Sequence, residues 1–156
     1  MAQVYFPTPL GTASIVGDAE GISEISILEQ THPTTNIPDE LAIAVAQLQE
    51  YFQGNRQVFD FKLNPKGTDF QQKVWLELGQ IPFGKTISYL DLAKKLGDVK
   101  AIRAVAAANG KNPLWIVVPC HRVIGTDGSL TGYAGGLWRK KWLIEHETPS
   151  LQHTLF

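Results

Sequence analysis

The stretch Asn64-Pro65-Lys66-Gly67-Thr68 cannot lie within a regular element, because proline has no amide hydrogen for a ladder and glycine forfeits the most backbone entropy. It parts two halves with different hydrophobic periods. Before it, Val4 to Phe6, Thr12 to Val16 and Ile22 to Leu28 are short β-prone runs. Pro-Thr-Pro-Leu-Gly and Asp-Ala-Glu-Gly separate them as turns, which predicts an antiparallel meander. Leu41, Val45, Leu48 and Phe52 then recur at helical spacing, with Gly54 as the C-terminal cap, so one helix covers one face of the sheet. Val58 to Leu63 reads as a last strand. The boundary therefore divides residues 1–63 from residues 64–156.

After it the period is helical. Thr68-Asp69-Phe70-Gln71 has the form of a capping box, followed by an apolar stripe of Phe70, Val74 and Leu78. Ser88 to Asp91 repeats that form, with Ile87 and Leu92 set to staple the turn and Gly97 to stop the helix. A third helix, Lys100 to Asn109, follows almost at once, with Gly110 suited to a left-handed cap. Helix, short turn, helix predicts a helix-turn-helix. Ile102, Val105 and Ala106 should face inward, leaving Lys100, Arg103, Ala104, Ala107 and Ala108 outside, either a solvated face that uses alanine for helix propensity or a small-residue face on which Arg103 reaches into a groove.

Charge divides at nearly the same place. The chain has 14 Lys and Arg against 15 Asp and Glu, a net charge of −1, but residues 1–83 hold 4 against 10 (−6) and residues 84–156 hold 10 against 5 (+5). Only the C-terminal part suits a polyanion. With 156 residues, 44% of them hydrophobic, there is apolar material for real cores. No segment has the roughly 20 apolar residues of a membrane helix, and no leader pattern precedes the first strand; these features predict a soluble, cytoplasmic protein. A single cysteine forms no internal disulfide, and with the four scattered histidines it makes no zinc spacing, so no metal is expected.

That cysteine lies in Val-Val-Pro-Cys-His-Arg-Val-Ile-Gly, residues 117–125. Trp115 to Val118 reads as a short strand that Pro119 ends, placing Cys120 just past it. A lone cysteine is commonly a small buried hydrophobe. His121 and Arg122 are an odd pair to bury, however, and cationic neighbours lower a thiol pKa. Adjacent side chains on a strand face opposite ways, so activation of Cys120 by His121 would need a turn or a bridging water. Downstream, residues 125–137 hold five glycines around Tyr133, whose ring could stack a planar substrate. Trp138 and Trp142, one turn apart, read as core, and Glu147 is either a helix-end charge or a functional carboxylate.

The blocks Ile-Pro-Phe-Gly-Lys-Thr-Ile-Ser-Tyr-Leu, Lys-Ala-Ile-Arg-Ala-Val-Ala-Ala-Ala-Asn-Gly, Pro-Cys-His-Arg-Val-Ile-Gly, Gly-Tyr-Ala-Gly-Gly-Leu and Arg-Lys-Lys-Trp-Leu-Ile-Glu-His-Glu occur in one order between Gln80 and Glu147. In this they resemble the O6-alkylguanine-DNA alkyltransferases, the methylated-DNA-protein-cysteine methyltransferases. The resemblance implies an α+β fold: a ribonuclease-H-like α/β N-terminal domain, then a winged-helix-like C-terminal domain containing the helix-turn-helix. It implies a monomer, needing no cofactor, that repairs duplex DNA containing O6-alkylguanine, with O4-alkylthymine as a candidate second substrate. The alkyl group passes irreversibly to Cys120 after the base is flipped. His121 takes the thiol proton through a water, Glu147 orients His121, Asn112 holds the turn, and Tyr133 binds and protonates the leaving guanine. Arg103 is then the finger that fills the vacated stack, Tyr89 helps rotate the base, and Ala107 and Thr126 meet DNA, while Val123, Ala134 and Gly135 shape the pocket. Ala106 stands where the family often has glycine and Ala134 where glycine or serine is common, which bears on helix seating and pocket width. The rival readings are a non-enzymatic lesion-binding module, whose family branch replaces the cysteine, and a cysteine hydrolase using His32, His146 or His153.

Overall fold

The computed structural model describes residues 1–148; His153 lies outside them. Strands β1 (Ala2–Thr8), β2 (Gly11–Asp18) and β3 (Gly21–Leu28) form an antiparallel sheet in the order β1-β2-β3. Alternation places Val4, Phe6, Ala13, Ile15 and Ile25 on the buried face, and a bulge in β3 opposite Val16 and Gly17 turns Ile22 to the same side. A 3-10 turn at Asp39–Leu41 leads into helix α1 (Ala42–Phe52), which covers that face with Leu41, Ala44, Val45, Leu48 and Tyr51. The apolar stripe thus ends on Tyr51, fully buried, and not on Phe52, which is only partly covered.

Val58 to Leu63 forms no strand. Only Leu63 makes a single parallel bridge to Ile22, with Ile22 N donating to Lys62 O at 2.9 Å and Asn64 N to Ile22 O at 2.7 Å. Charged Asp60 and Lys62 interrupt the run, and Asp60 is instead tied to Gln47 of α1. At Gly67 an added Cβ would collide with the Trp75 ring, which explains the glycine in the connecting segment.

Helix α2 (Asp69–Leu78) has the full capping box: Gln71 N donates to the Thr68 hydroxyl at 3.1 Å and Thr68 N to Gln71 Oε1 at 2.9 Å. Strand β4 (Ile87–Ser88) leads into α3 (Tyr89–Lys95), where Ser88 caps Asp91 N at 3.0 Å without the return bond. A 3-10 turn at Val99–Ala101 joins α3 to α4 (Ile102–Gly110), completing the helix-turn-helix. Trp75 Nε1 donates to Ala108 O at 2.9 Å and locks α2 under α4. Two sequence expectations fail on α4. Ala108 is buried by that contact with α2, and Gly110 lies inside the helix with no left-handed φ, the cap falling at Lys111.

Trp115 to Val118 is a tight turn and not a strand. Ile116 has φ 73°, an unusual value for a β-branched residue, and Val118 N donates to Leu114 O at 3.0 Å. Cys120–Arg122 forms a 3-10 turn, β5 (Val123–Ile124) pairs parallel with β4, and α5 (Leu137–Glu147) closes the C-terminal domain. Trp138 is 58% exposed, lying over the Arg139 guanidinium and not in the core, while Trp142 packs on Phe52 and His146. Among the described residues no helix is long and apolar enough to cross a membrane, and no cluster of His, Cys, Asp and Glu is arranged to hold a metal.

Candidate active site

Asn112 organises the turn before the cysteine. Its amide Nδ2 donates to Val118 O at 2.6 Å, and its Oδ1 accepts from Leu114 N at 2.8 Å, so one side chain closes both ends of the strained segment. From the other side β3 grips the same turn: Ile25 N donates to Pro113 O at 2.8 Å, and Trp115 N donates to Ile25 O at 3.0 Å. Cys120 follows at 9% exposure, facing a cavity of about 130 Å3. Tyr133, Ala134 and Gly135 line this cavity, as do Ser26 and Ile27 of the N-terminal domain.

The 3-10 turn lets His121 and Arg122 point back into the protein, as a strand would not. His121 is fully buried, with Nε2 2.7 Å from Glu147 Oε2. Arg122 Nε donates to Glu147 Oε1 at 2.7 Å and Nη2 to Oε2 at 3.1 Å, while Nη1 donates to Ile81 O at 2.7 Å. Tyr51 completes the cluster from α1, its hydroxyl donating to Glu147 Oε2 at 2.6 Å.

This geometry sets the protonation states. Burial alone would raise the Glu147 pKa, but the donors and charge of His121 and Arg122 hold it down at about 2, so the carboxylate is ionised and only accepts. His121 Nε2 must then carry the proton. Burial also lowers the His121 pKa, leaving a neutral imidazole whose Nδ1 has no protein partner. The Cys120 thiol is pushed up by burial, against the opposing pull of the Asn112 amide and the Lys140 charge. The cationic neighbours therefore do not make it a resting thiolate, and its proton needs an acceptor.

Tyr133 Oη is buried without a hydrogen-bond partner, and burial raises its pKa well above the usual value, so it stays a phenol. On the helix-turn-helix side, Tyr89, Arg103, Thr126 and Ala134 line a second groove that adjoins the first at Gly132 and Tyr133. Arg103, Ala107 and Thr126 are exposed. Val123 is fully buried on β5 and lines neither groove. His32 stacks on Tyr5 and His146 bonds the Tyr51 carbonyl at 2.7 Å, so neither serves as a partner for the thiol.

Three residues of this site escaped the sequence reading. Tyr51 belongs to an apolar stripe and carried no motif. Arg122 stands out in sequence only as an odd residue to bury. Lys140, fully buried with Nζ donating to Thr131 O at 2.8 Å, sits in a run of charges that reads as solvated. Its spacing from Leu143 and Glu147, three and seven residues on, is the signal that places it on the inner face of α5.

Comparison with known proteins identifies the family. Residues 69–149 match the 6-O-methylguanine DNA methyltransferase DNA binding domain, and residues 1–65 match the ribonuclease-like domain of 6-O-methylguanine DNA methyltransferase. A methylated-DNA–protein-cysteine methyltransferase of Methanosarcina acetivorans is 42% identical over 154 residues, 94% of this chain and 98% of that protein. One from Mycobacterium tuberculosis is 45% identical over 145 residues, 90% of this chain and 88% of that protein. The crystal structure of Mycobacterium tuberculosis OGT in complex with DNA superposes with a TM-score of 0.84 at 45% identity, over 94% of each chain. The fold is mixed α+β, a ribonuclease-like sheet domain joined to a helical DNA-binding domain, and the chain belongs to the methylated-DNA–protein-cysteine methyltransferase family.

Proposed function

We propose that this chain repairs O6-alkylguanine in duplex DNA by moving the alkyl group to Cys120, once per molecule. The observation that supports it best is the buried Cys120 thiol beside a neutral His121, whose tautomer is set by the ionised Glu147. The basic helix-turn-helix meets the duplex, Arg103 fills the gap left by the rotated base, and Tyr89 stands at the mouth of the groove. Ala107 and Thr126 lie along the same exposed side. Tyr133, Ala134 and Gly135 enclose the base, while Val123 lies in the core.

In the chemical step the thiol proton passes through a water to His121 Nδ1, and sulfur attacks the alkyl carbon. The C–S bond forms as the C–O6 bond breaks, and Tyr133 donates a proton to the leaving guanine; as the site reopens, water returns a proton to Tyr133 and takes the thiol proton from His121, so the net transfer is from thiol to guanine. Asn112 holds the cysteine turn throughout. A thioether does not exchange as a disulfide does, so the site is spent after one transfer and requires no metal or cofactor. The protein acts as a monomer within the cell, where its DNA substrate lies.

Intact mass after incubation with excess O6-methylguanine duplex tests the proposal. One added methylene on the peptide containing Cys120, and none in Cys120→Ser although that variant still binds the duplex, is the expected result. Continued product release beyond one equivalent would point to a hydrolase instead.

A further inference from the structure

We propose that Tyr51 is a positioning residue for alkyl transfer: its hydroxyl, supplied by the N-terminal domain, fixes the Glu147 carboxylate and, through it, the His121 imidazole. The inference rests on the alkyl-transfer reading above. Glu147 Oε2 receives Tyr51 Oη at 2.6 Å, His121 Nε2 at 2.7 Å and Arg122 Nη2 at 3.1 Å, and Oε1 receives Arg122 Nε at 2.7 Å. Arg122 alone would let the carboxylate rock in the plane of its fork. The Tyr51 bond comes from the other domain, 96 residues away in sequence, and ties Oε2 to a helix outside the Cys120 turn.

The ring of Tyr51 has a structural role of its own. It packs on Phe52, Phe59, Phe83 and His146 at centroid distances of 5.3, 5.7, 6.4 and 5.0 Å, and a phenylalanine would fill that space equally well. Only the hydroxyl remains to be explained. Buried among aromatic rings it would be costly without a partner, and its partner is the carboxylate that orients the proton acceptor. Burial and the Glu147 charge raise its pKa far beyond the working range, so it is a permanent donor.

The hydroxyl also tempers the base. Each donor on Oε2 withdraws charge from the carboxylate and weakens its hold on a protonated imidazole. The charged and titratable groups around this pair are Arg122 on the same turn, Lys140 and His146 on α5, and Cys120 and Tyr133 at the cavity; Arg122 and Lys140 also disfavour the imidazolium. Removing the Tyr51 hydroxyl therefore has two consequences. His121 loses a fixed orientation, which slows transfer, and gains basicity, which moves the acid limb of the pH–rate profile to higher pH.

The test is Tyr51→Phe in the full chain, using single-turnover transfer from an O6-methylguanine duplex and Cys120 alkylation by iodoacetamide, each as a function of pH. Transfer should slow about tenfold. The acid limb should move up by roughly half a pH unit with both reagents, with duplex affinity unchanged. In a Glu147→Gln background the same substitution should add nothing further, because its effect passes through the carboxylate. Wild-type rates and profiles in Tyr51→Phe, or equal slowing in both backgrounds, would overturn the assignment. If Tyr51→Phe does not fold, 3-fluorotyrosine at position 51 keeps the ring and strengthens the donor; its acid limb should shift to lower pH, and no shift would overturn the assignment. If the wild-type chain takes no methyl group from the duplex, the alkyl-transfer reading fails, while the iodoacetamide profile still decides the role of Tyr51.

Discussion

The two domains reach Cys120 in different ways. The C-terminal domain carries every group with reactive chemistry, and it carries them close together in sequence: Asn112, Cys120, His121, Tyr133 and Glu147 span little more than one turn, one glycine-rich loop and one helix. The N-terminal domain contributes no nucleophile or base, yet it touches the site at four places. Ile25 pairs its backbone with Pro113 and Trp115, Ser26 and Ile27 wall the cavity, Tyr51 bonds Glu147, and Leu10 O accepts from Arg139 of α5 at 3.0 Å. One domain supplies the reagents and the other limits their freedom. Preorganisation of this kind is worth as much to a transfer reaction as the reacting groups themselves.

The largest expected effect on this division of labour comes from Arg139. It is 5% exposed and joins the domains by donating to Leu10 O at 3.0 Å and Gly135 O at 2.8 Å, beneath the Trp138 ring. Arg139→Ala would leave two carbonyls short of a donor and release the glycine-rich loop from the β1–β2 turn. Stability should fall by about 3 kcal/mol, and transfer should slow because Gly135 lines the cavity. Denaturant unfolding and single-turnover transfer measure the two parts. A loss below about 1 kcal/mol would mean that Arg139 adds little to the joint, and that the Ile25 backbone pairs, the Tyr51–Glu147 bond and apolar contacts hold it.

The same asymmetry governs what the sequence discloses. The capping box at Thr68, the helix-turn-helix and the meander were legible, because each depends on local periodicity and on residues close to one another in the chain. The Cys120 motif was legible for the same reason. Tyr51 was not: the stripe Leu41, Val45, Leu48 admits either Tyr51 or Phe52 as its next member, and only the position of Glu147 selects Tyr51. Trp115 to Val118 has the composition of a strand but forms a turn: Trp115 N pairs with Ile25 O, and Asn112 then closes the segment by bonding Leu114 N and Val118 O. Val58 to Leu63 likewise lost its strand to the Gln47–Asp60 contact. Long-range partners decide such cases, and a single sequence does not announce them.

A smaller effect tests whether the N-terminal wall meets the substrate. Ile27 is half-buried, and its side chain lies close enough to Gly135 that a Cβ there would contact Ile27 Cγ2 at 3.2 Å. Ile27→Ala widens the cavity from the side opposite the helix-turn-helix, without touching Cys120. The ratio of transfer rates for O6-benzylguanine over O6-methylguanine in duplex DNA should rise by roughly tenfold, the scale of a few methylenes in an apolar pocket. The methyl rate itself should change little. An unchanged ratio would confine size selection to the C-terminal loop, where Ala134 stands.

The smallest effect concerns the one acid of the N-terminal domain that joins this clamp. Glu29 Oε1 lies 3.1 Å from Arg139 Nη1, but the Glu29 side chain is 83% exposed while that of Arg139 is 7% exposed. An exposed carboxylate gains little from such a pair, since water screens the charge and a long side chain must be ordered to make it. Arg139 also keeps its bonds to Leu10 O and Gly135 O when Glu29 is removed, so no buried donor is orphaned. Glu29→Ala should therefore shift stability by less than about 0.5 kcal/mol, diminishing further with added salt, and should leave the transfer rate intact. A loss approaching that of Arg139→Ala would reverse the assignment of forces at this joint. The guanidinium would then be held by the acidic surface of the N-terminal domain and not by its backbone carbonyls, and the segregation of negative charge into residues 1–83 would be part of how the two domains are joined.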